Sequence, residues 1–580
     1  MLFNASVSKG KGRADGEGTF YTNTQVKAGE QVIIISGGDT TLQSAVVKAN
    51  QVKADVGGNL NISSLQDTNT YTSEQKSSGG SLSVGTGSMS GSTAAASALA
   101  HKSNPPSERR KAPPLPPAPW AASPATSPGD ITILAKTVDI VEARETSRSE
   151  TEEKFKQSGF TVSISNPLIS ALETGQQMAD AASNTGDGRM QALAGAAAAF
   201  KGYNTYKGLT DAAGNFDAKA AADITINLSY GSSESESKSS SQSNTAAGST
   251  VAAGNNLTVV ATGAGQASNL TARGATLTAG NNATLLADNH VNLLASQNTA
   301  SQESSNSSSS SSVGVSYGVV SQSFSFSASA SQSQGNSNGS DTSYTNTQVT
   351  AGNTASIISG GDTNLIGAVV AANTVKANVG GNLNIQSLQD TSTYTSEQRS
   401  IGASISFGKG SVTGGGVSAS NSNIDSSYAS VGQQSGIKAG DGGFQVNVAG
   451  STDLKGSVIA STQAAVEQGK NSFNTGGTLT LSDIQNTASY EGKAMGLSID
   501  VGQQAGKFGV SGVGAGIGSD KGEASSTSSA GISGIAGNTA VRSTDAETGL
   551  GRYLMQIGCK KRLMHRCRSR KHLAKRHLKR

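Results

Sequence analysis

The sequence predicts an all-β protein built as a solenoid, a parallel β-helix in which short strands stack in successive turns. Three observations favour this class: a long internal duplication, a Gly-Gly pair that recurs at a regular interval, and few large apolar side chains. Aromatic residues make up 4% of the chain and charged residues 14%, whereas glycines number 72. A β-helix needs only one inward apolar row per strand, so this composition suits it better than a broad globular core.

The duplication begins at Tyr21, with YTNTQVKAGEQVIIISGGDTTLQSAVVKANQVKADVGGNL, and again at Tyr344, with YTNTQVTAGNTASIISGGDTNLIGAVVAANTVKANVGGNL. The copies run in register without a gap at an offset of 323. Roughly three positions in four match, which indicates that one structural unit has been reused.

A shorter repeat lies within each copy. The Gly-Gly pair that begins at Gly37 returns at Gly57, and the pair at Gly360 returns at Gly380. A period of about 20 residues is typical of one solenoid rung. The sequence therefore predicts a glycine corner at the same point of successive rungs.

The residues between the corners alternate as strands do. Leu383 and Ile385 alternate with Asn and Gln in NLNIQS, and Leu60 and Ile62 do so in the first copy. One row is predicted to face inward and the other outward. Partial copies that begin at Gly450 and Thr475, and short apolar runs within residues 251–297, predict further rungs.

The sequence does not decide between two structures for two serine-rich stretches. Residues 232–244 and 302–314 have the composition of disordered chain. They are equally compatible with hairpins at the edge of the solenoid, since SYGVV and SFSFSAS beside the second stretch alternate like exposed strands.

A proline-rich segment interrupts the repeats. Residues 104–128 hold nine of the ten prolines and the single tryptophan, Trp120. Proline removes ladder donors and fixes φ, so the segment is predicted to form an extended linker and no rung. Arg110–Pro116 has the spacing of an SH3 ligand, a weak signal in any basic proline-rich stretch. A shift of reading frame that replaced repeat residues explains the segment better.

A second interruption is predicted to be helical. A hairpin of two helices, joined by a turn at TGDG, would cap or interrupt the solenoid and pack against it. It is poor in charge and rich in alanine, which disfavours a role on membranes. Its residues at helical spacings are Leu168, Leu172, Gln176, Met178, Met190, Leu193 and Phe200.

The C-terminal tail, residues 551–580, differs from the rest of the chain. It holds 12 of the 44 Lys and Arg and none of the 40 Asp and Glu, so the first 550 residues carry a net charge of −8. Such a tail is compatible with binding nucleic acid or an anionic membrane. Cys559, His565, Cys567 and His572 lack the spacing of a zinc finger. The favoured interpretation is a disordered or out-of-frame end.

No catalytic, cofactor or metal site is predicted, and the chain is not expected to be an enzyme. It has no Walker loop, no GxSxG elbow and no HExxH motif, and GGDT lacks the spacing of calcium-binding nonapeptides. Outside the tail, His101 and His290 are the two histidines, and His290 is expected to point outward from a rung corner. No signal peptide is found, and no apolar run is long enough to cross a membrane as a helix. Residues 1–550 contain no cysteine, which suits an exported protein.

The repeats resemble a known family. The blocks from Ser356 (SIISGGDTNLIGAVVAANTVKANVGGNLNIQSLQDTSTYTSEQ) and Ser422 (SNIDSSYASVGQQSGIKAGDGGFQVNVAGSTDLKGSVIAS) are similar to the haemagglutinin repeats of filamentous haemagglutinins and of contact-dependent growth-inhibition exoproteins. The resemblance implies a right-handed parallel β-helix filament of Gram-negative bacteria, exported by two-partner secretion. The family's secretion domain and signal peptide are absent and the chain begins within a repeat, so a fragment of a longer exoprotein is expected.

These observations divide the chain into β-helix, inserts and a tail. The expected segments are β-helix at 1–98, a proline-rich linker or frame-shifted insert at 99–129, β-helix at 130–164, a helical interlude at 165–210, β-helix at 211–550 and a basic tail at 551–580.

The expected function is structural. The chain would form the shaft of a secreted or cell-surface adhesin, with an outer-membrane two-partner secretion transporter and a receptor on host or neighbouring cells as partners, and with no small-molecule substrate. One alternative is the stalk of a contact-dependent growth-inhibition toxin-delivery exoprotein that lacks its toxin domain. Another, which the sequence does not favour, is nucleic-acid binding through the basic tail.

Overall fold

The protein folds almost entirely into β-strands. The computed structural model describes residues 3–85, 119–122, 129–165, 224–408, 410–504 and 507–533. These residues form 35 strands, numbered here along the chain, in sheets of 16, nine and ten strands, together with one short α-helix, α1 (Gln463–Glu467), and one 3-10 turn, Gly265–Ala267. The prediction of an all-β parallel β-helix is confirmed. The predicted helices after Ser165, most of the proline-rich segment and the basic tail lie outside the described residues.

Two sheets make up the solenoid, and all their strands are parallel. The nine strands of the second solenoid sheet mark nine successive rungs, each beginning with strands of the first. The first solenoid sheet contains β2 (Thr24–Lys27), β3 (Gln31–Ser36), β5 (Ala45–Ala49), β6 (Gln51–Val56), β9 (Pro119–Ala122), β10 (Ile131–Ala135), β14 (Thr250–Ala253), β15 (Leu257–Ala261), β17 (Thr276–Ala279), β18 (Asn282–Ala287), β22 (Thr347–Ser359), β24 (Ala368–Val379), β28 (Gly436–Val448), β30 (Val458–Ala460), β31 (Ser472–Thr475) and β35 (Gly531–Ile532). The second contains β4 (Thr40–Gln43), β7 (Asn59–Ser63), β11 (Thr137–Val141), β16 (Leu270–Arg273), β19 (Val291–Leu294), β23 (Thr363–Ile366), β25 (Leu383–Gln386), β29 (Thr452–Lys455) and β32 (Leu479–Ser482).

The core is a set of apolar ladders that run through the stacked rungs. In the second solenoid sheet, successive rungs place Ile140, Ala272, Leu293, Leu365 and Ile385 directly above one another. All five are fully buried or nearly so. Burying a Leu or Ile side chain contributes about 1.5–3 kcal/mol, so each rung adds stability only where a neighbouring rung covers it. The predicted inward and outward rows are confirmed.

Glycine corners join the two solenoid sheets. The amide of Gly57 donates to the carbonyl oxygen of Ser36, and a Cβ on Gly57 would lie 2.7 Å from the oxygen of Gly37. The second copy is tighter, because a Cβ on Gly380 would lie 2.3 Å from the oxygen of Gly360. Gly57 and Gly380 therefore rest on the preceding corner so closely that a larger residue has no room. This stacking explains why a glycine pair returns after 20 residues in both copies of the duplication.

The third sheet, the hairpin sheet, consists of long strands that extend from the rungs. Strands of 23 residues at about 3.4 Å per residue reach about 75 Å. The serine-rich stretches at 232–244 and 302–314 lie within them, so the hairpin alternative holds and disorder does not. Its strands are β1 (Phe3–Thr19), β8 (Thr68–Gly85), β12 (Ala143–Ser165), β13 (Thr225–Ala247), β20 (Ser296–Gly318), β21 (Ser323–Thr345), β26 (Gln389–Gly408), β27 (Ser411–Val431), β33 (Ile484–Gln504) and β34 (Lys507–Ser528).

The strands of the hairpin sheet alternate with pairs of rungs. A strand leaves the solenoid, its partner returns, and two rungs follow before the next strand leaves, as between β13 and β20. Neighbouring strands are accordingly antiparallel, with one exception in the part of the chain described here. β8 and β12 are parallel, and the described residues between them form a single rung that ends at Val141.

Four residues of the proline-rich segment depart from the prediction that it forms no rung. Pro119–Ala122 is strand β9, which pairs with β5 and β14. Pro119 occupies the first position of the strand, where a missing amide donor costs least. The prediction is therefore corrected for these four residues.

Candidate functional surface

The polar side chains of the solenoid that the sequence analysis singled out lie at the rung corners and in the ladders between rungs. Among the described residues, no three His, Cys, Asp or Glu side chains are grouped to hold a metal ion. His290 lies at a rung corner as predicted, and its Nδ1 accepts a hydrogen bond from the amide of Asp362 at 2.9 Å. That bond ties one rung to the next, so His290 has a structural role. His101 and the cysteines and histidines of the tail lie outside the described residues.

The outward rows of the solenoid carry hydrogen-bonded amides. Asn384 donates to the Oδ1 atom of Asn364, and Asn364 donates to that of Asn292, both at 2.8 Å. These three side chains form a ladder on the outer surface of the second solenoid sheet. Because each amide binds the next, the ladder stabilises the stack and presents a regular polar surface.

A buried carboxylate lies where the solenoid meets the hairpin sheet. The side chain of Glu142 is only 4% exposed. Its Oε2 accepts from Nε of Arg273 at 2.8 Å and its Oε1 from Oγ of Ser296 at 2.7 Å. Nearby, burial raises the pKa of Glu145, and the charge of Asp67 adds to this effect. The junction therefore depends on a compensated cluster of charges.

One face of the hairpin sheet is built from small residues. Serines and glycines occupy alternate positions of the long strands, and directly opposite serines bond through their hydroxyl groups. Their Oγ atoms lie 2.7–2.8 Å apart in the pairs Ser304–Ser337, Ser308–Ser333, Ser310–Ser331 and Ser312–Ser329. This ladder supplies hydroxyl groups but no charge.

The opposite face carries charges on the part of the strands near the solenoid. Nζ of Lys154 lies 2.9 Å from Glu152 and 3.4 Å from Glu236, and Lys238 binds the same two glutamates at 3.6 and 2.9 Å. Hydrogen bonding with Lys238 lowers the pKa of Glu236, and that with Glu152 raises the pKa of Lys154. The four charges compensate one another, so they leave no net field for a charged ligand.

The same face becomes apolar toward the hairpin turns. Phe160 lies six residues beyond Lys154 and hence on its face, and its ring packs against that of Tyr230 with the centroids 4.9 Å apart and the planes tilted by 54°. We call this surface the apolar band, and its side chains are at least a third exposed. Its members are Phe160, Ile226, Leu228, Tyr230, Val313, Val315, Phe324, Phe326, Ile401, Ile405, Phe407, Val417, Met495, Leu497, Ile499, Val510, Val513 and Ile517.

A shallow groove of about 690 Å³ lies within the apolar band. Ile401, Leu497 and Ile517 line it, together with the side chain of Arg399. Such a surface is suited to another apolar element, because Ile401, Met495, Leu497 and Ile517 all face the groove. The sequence reasoning recognised the alternation of SFSFSAS but did not foresee that register would collect these residues on one face. No helix among the described residues has the length and hydrophobicity to span a membrane.

Comparison with known proteins identifies the repeats. The hemagglutinin repeat family matches residues 1–80 and 228–401. The chain is 34% identical over 65% of its length to Deoxyribonuclease CdiA of Dickeya dadantii, and 33% identical over 69% to Toxin CdiA of Escherichia coli. It is 35% identical over 70% to Deoxyribonuclease CdiA of Yersinia pseudotuberculosis. It spans 11%, 13% and 38% of these three proteins. No solved structure matches the chain.

Proposed function

We propose that this chain, which carries hemagglutinin repeats and is similar over most of its length to CdiA proteins, is a length of the shaft of a filamentous surface protein. The observation that supports this best is the apolar core of the described rungs, which forms one cluster from Val32 in the first rung to Ile532 after the ninth. A stack of this kind is a rod. Nine rungs at about 4.8 Å each give a rise of about 40 Å.

The role proposed for the rod is reach and contact. On this proposal residues 1–98, 130–164 and 211–550 belong to the shaft of a secreted or cell-surface adhesin of a Gram-negative bacterium. Repeated rows of asparagine and serine would give many weak contacts, and their effect multiplies when several engage together. The partners would be an outer-membrane two-partner secretion transporter and a receptor on a host or neighbouring cell. The chain itself would catalyse no reaction.

Protease treatment of intact cells tests this location. The peptides Gln66–Gln75 (QDTNTYTSEQ) and Gln389–Gln398 (QDTSTYTSEQ) serve as epitopes on a blot. Loss of both signals from whole cells, while a cytoplasmic control protein survives, is the expected result. Signals that disappear only after lysis would contradict the proposal, because they would place the chain inside the cell.

The names of the relatives favour one second candidate. They include toxins and nucleases, so the chain could serve as the stalk of a toxin-delivery exoprotein. To separate the two, the matching stretch of the Escherichia coli relative is replaced by this chain, and target-cell growth and cell binding are both measured. Growth inhibition at the parental level indicates a stalk for delivery, whereas cell binding without inhibition indicates an adhesin.

The basic tail at 551–580 carries the remaining candidate, nucleic-acid binding, and lies outside the described residues. Retention on a heparin column that is equal with and without the tail would exclude it.

A further inference from the structure

We propose that residues 166–223 of this same chain pack on the apolar band, over strands β12, β13, β20 and β21. The described residues leave that surface uncovered, with Phe160 50%, Val313 60% and Phe324 59% exposed. Proteins in water seldom leave contiguous apolar patches of more than a few hundred Å² without an occupant. This inference does not depend on the proposed function.

The position of the segment in the chain supports this occupant. The segment leaves the hairpin sheet after Ser165 and re-enters it at Ile224, so both of its ends are fixed at the turn end of β12 and β13. Phe160, Leu228 and Tyr230 lie within a few residues of those two points. Any apolar surface on the segment is thereby held at high effective concentration beside this part of the band.

The segment is also far longer than the turn requires. Between β20 and β21, the four residues Val319–Gln322 close a hairpin of the same strand length. The insertion at residues 166–223 must therefore be explained by something other than chain reversal.

The composition of the segment complements the band. The helical spacing of its apolar residues, among them Met190, Leu193 and Phe200, predicts helices with one apolar stripe. A stripe of this kind needs an apolar surface to cover it, and the band needs a cover of the same kind. The packing proposed for the helical interlude is thus on the hairpin sheet rather than on the solenoid.

Dimensions limit how much of the band the segment reaches. Two helices side by side are about 20 Å wide. At about 4.8 Å per strand, they cover about four strands. β34 lies seven strands from β12 in the hairpin sheet, a distance of about 34 Å. Val513, on β34, therefore remains exposed when Val313, on β20, is covered. The two valines lie on the same face of the hairpin sheet, so Val513 serves as the control position for Val313.

Cysteine labelling of the full chain tests the proposal. Cys559 and Cys567 are first replaced by serine, and Val313→Cys or Val513→Cys is then introduced singly. We expect a maleimide to label Cys at 313 about tenfold more slowly than Cys at 513, because docking must open before reaction. With Leu193→Cys added, a short bismaleimide should join 193 to 313 and not to 513.

A deletion supplies the second measurement. Residues 166–223 are replaced by a copy of Val319–Gln322, and labelling at 313 should then become as fast as at 513. Equal labelling of both positions in the full chain would overturn the proposal, as would protection of 313 that survives the deletion. Protection of both positions that rises with protein concentration would also overturn it, and would identify a second copy of the chain as the occupant.

Discussion

Replacing Gly380 by alanine should destabilise the solenoid at one corner. The added Cβ would lie 2.3 Å from the carbonyl oxygen of Gly360 and 2.9 Å from its carbonyl carbon. Ordinary contacts begin at 3.4 Å, so the two corners must separate by about 1.1 Å. The amide of Gly380 donates to Ser359 at 2.8 Å, and a shift of that size breaks the bond.

The magnitude follows from these two effects. Overpacking costs about 1–3 kcal/mol. The lost hydrogen bond adds about 1 kcal/mol. We therefore expect Gly380→Ala to lower the free energy of unfolding by about 2–4 kcal/mol. Gly37→Ala is the matched control, because Gly37 is also the first residue of a Gly-Gly corner but a Cβ on it meets no atom within 4 Å.

Urea denaturation followed by circular dichroism measures the change. Amide hydrogen exchange across residues 359–382 locates it, since the opening free energy should fall there first. Gly37→Ala should change stability by less than about 0.5 kcal/mol. Equal stability of the two variants would refute the claim that stacked corners, rather than turn conformation alone, select glycine.

Three further predictions concern buried and ionised groups. Glu142→Gln should lower the free energy of unfolding, measured by urea denaturation, by about 1–2 kcal/mol, because the buried side chain then loses its charge-assisted bonds to a half-exposed arginine. Glu150→Gln, at an exposed ion pair, is its control and should leave the midpoint unchanged. Backbone and hydroxyl hydrogen bonds lower the pKa of Asp288, so its stabilising contribution is present above the unfolded pKa of about 3.9 and disappears as pH falls through the lower folded value. Thermal midpoints of the wild type and Asp288→Asn should accordingly differ at pH 7 and converge in strong acid, and a constant difference would contradict this. Leu285 is fully buried, and Leu285→Ala should lower the free energy of unfolding by about 2–5 kcal/mol. Leu481 is 42% exposed, and Leu481→Ala should lower it by less than about 1 kcal/mol. Equal losses for the two leucines would contradict the ladder as the source of stability.

The solenoid was predictable because its signal is local. Leu383 and Ile385 show which row points inward, and Gly360 and Gly380 mark the corners, so one period of the repeat contains a whole rung. Stacking then follows from the repeat itself, since an isolated rung cannot bury its apolar row.

The hairpin sheet was less predictable because its strands are held in place by pairing with distant parts of the chain. Residues 302–314 are mostly serine and contain too little apolar alternation to distinguish a strand from disorder. The rungs on either side bring both arms of the hairpin together, and register then aligns Val313 with Tyr230. The apolar band depends on this alignment across many strands, which no single stretch of sequence encodes.

The parallel pairing of β8 with β12 has a consequence for how such chains change in length. Among the described residues, β12 follows β8 after one rung and one strand position, whereas β20 follows β12 after two of each. Solenoid and hairpin sheet each lose one layer of about 4.8 Å and remain level with each other. A difference of one layer in the length of such a chain therefore leaves the ladders of both sheets without a mismatch. The structural unit of the described chain is then one layer across both structures, smaller than the duplicated block in which the repeat is first noticed.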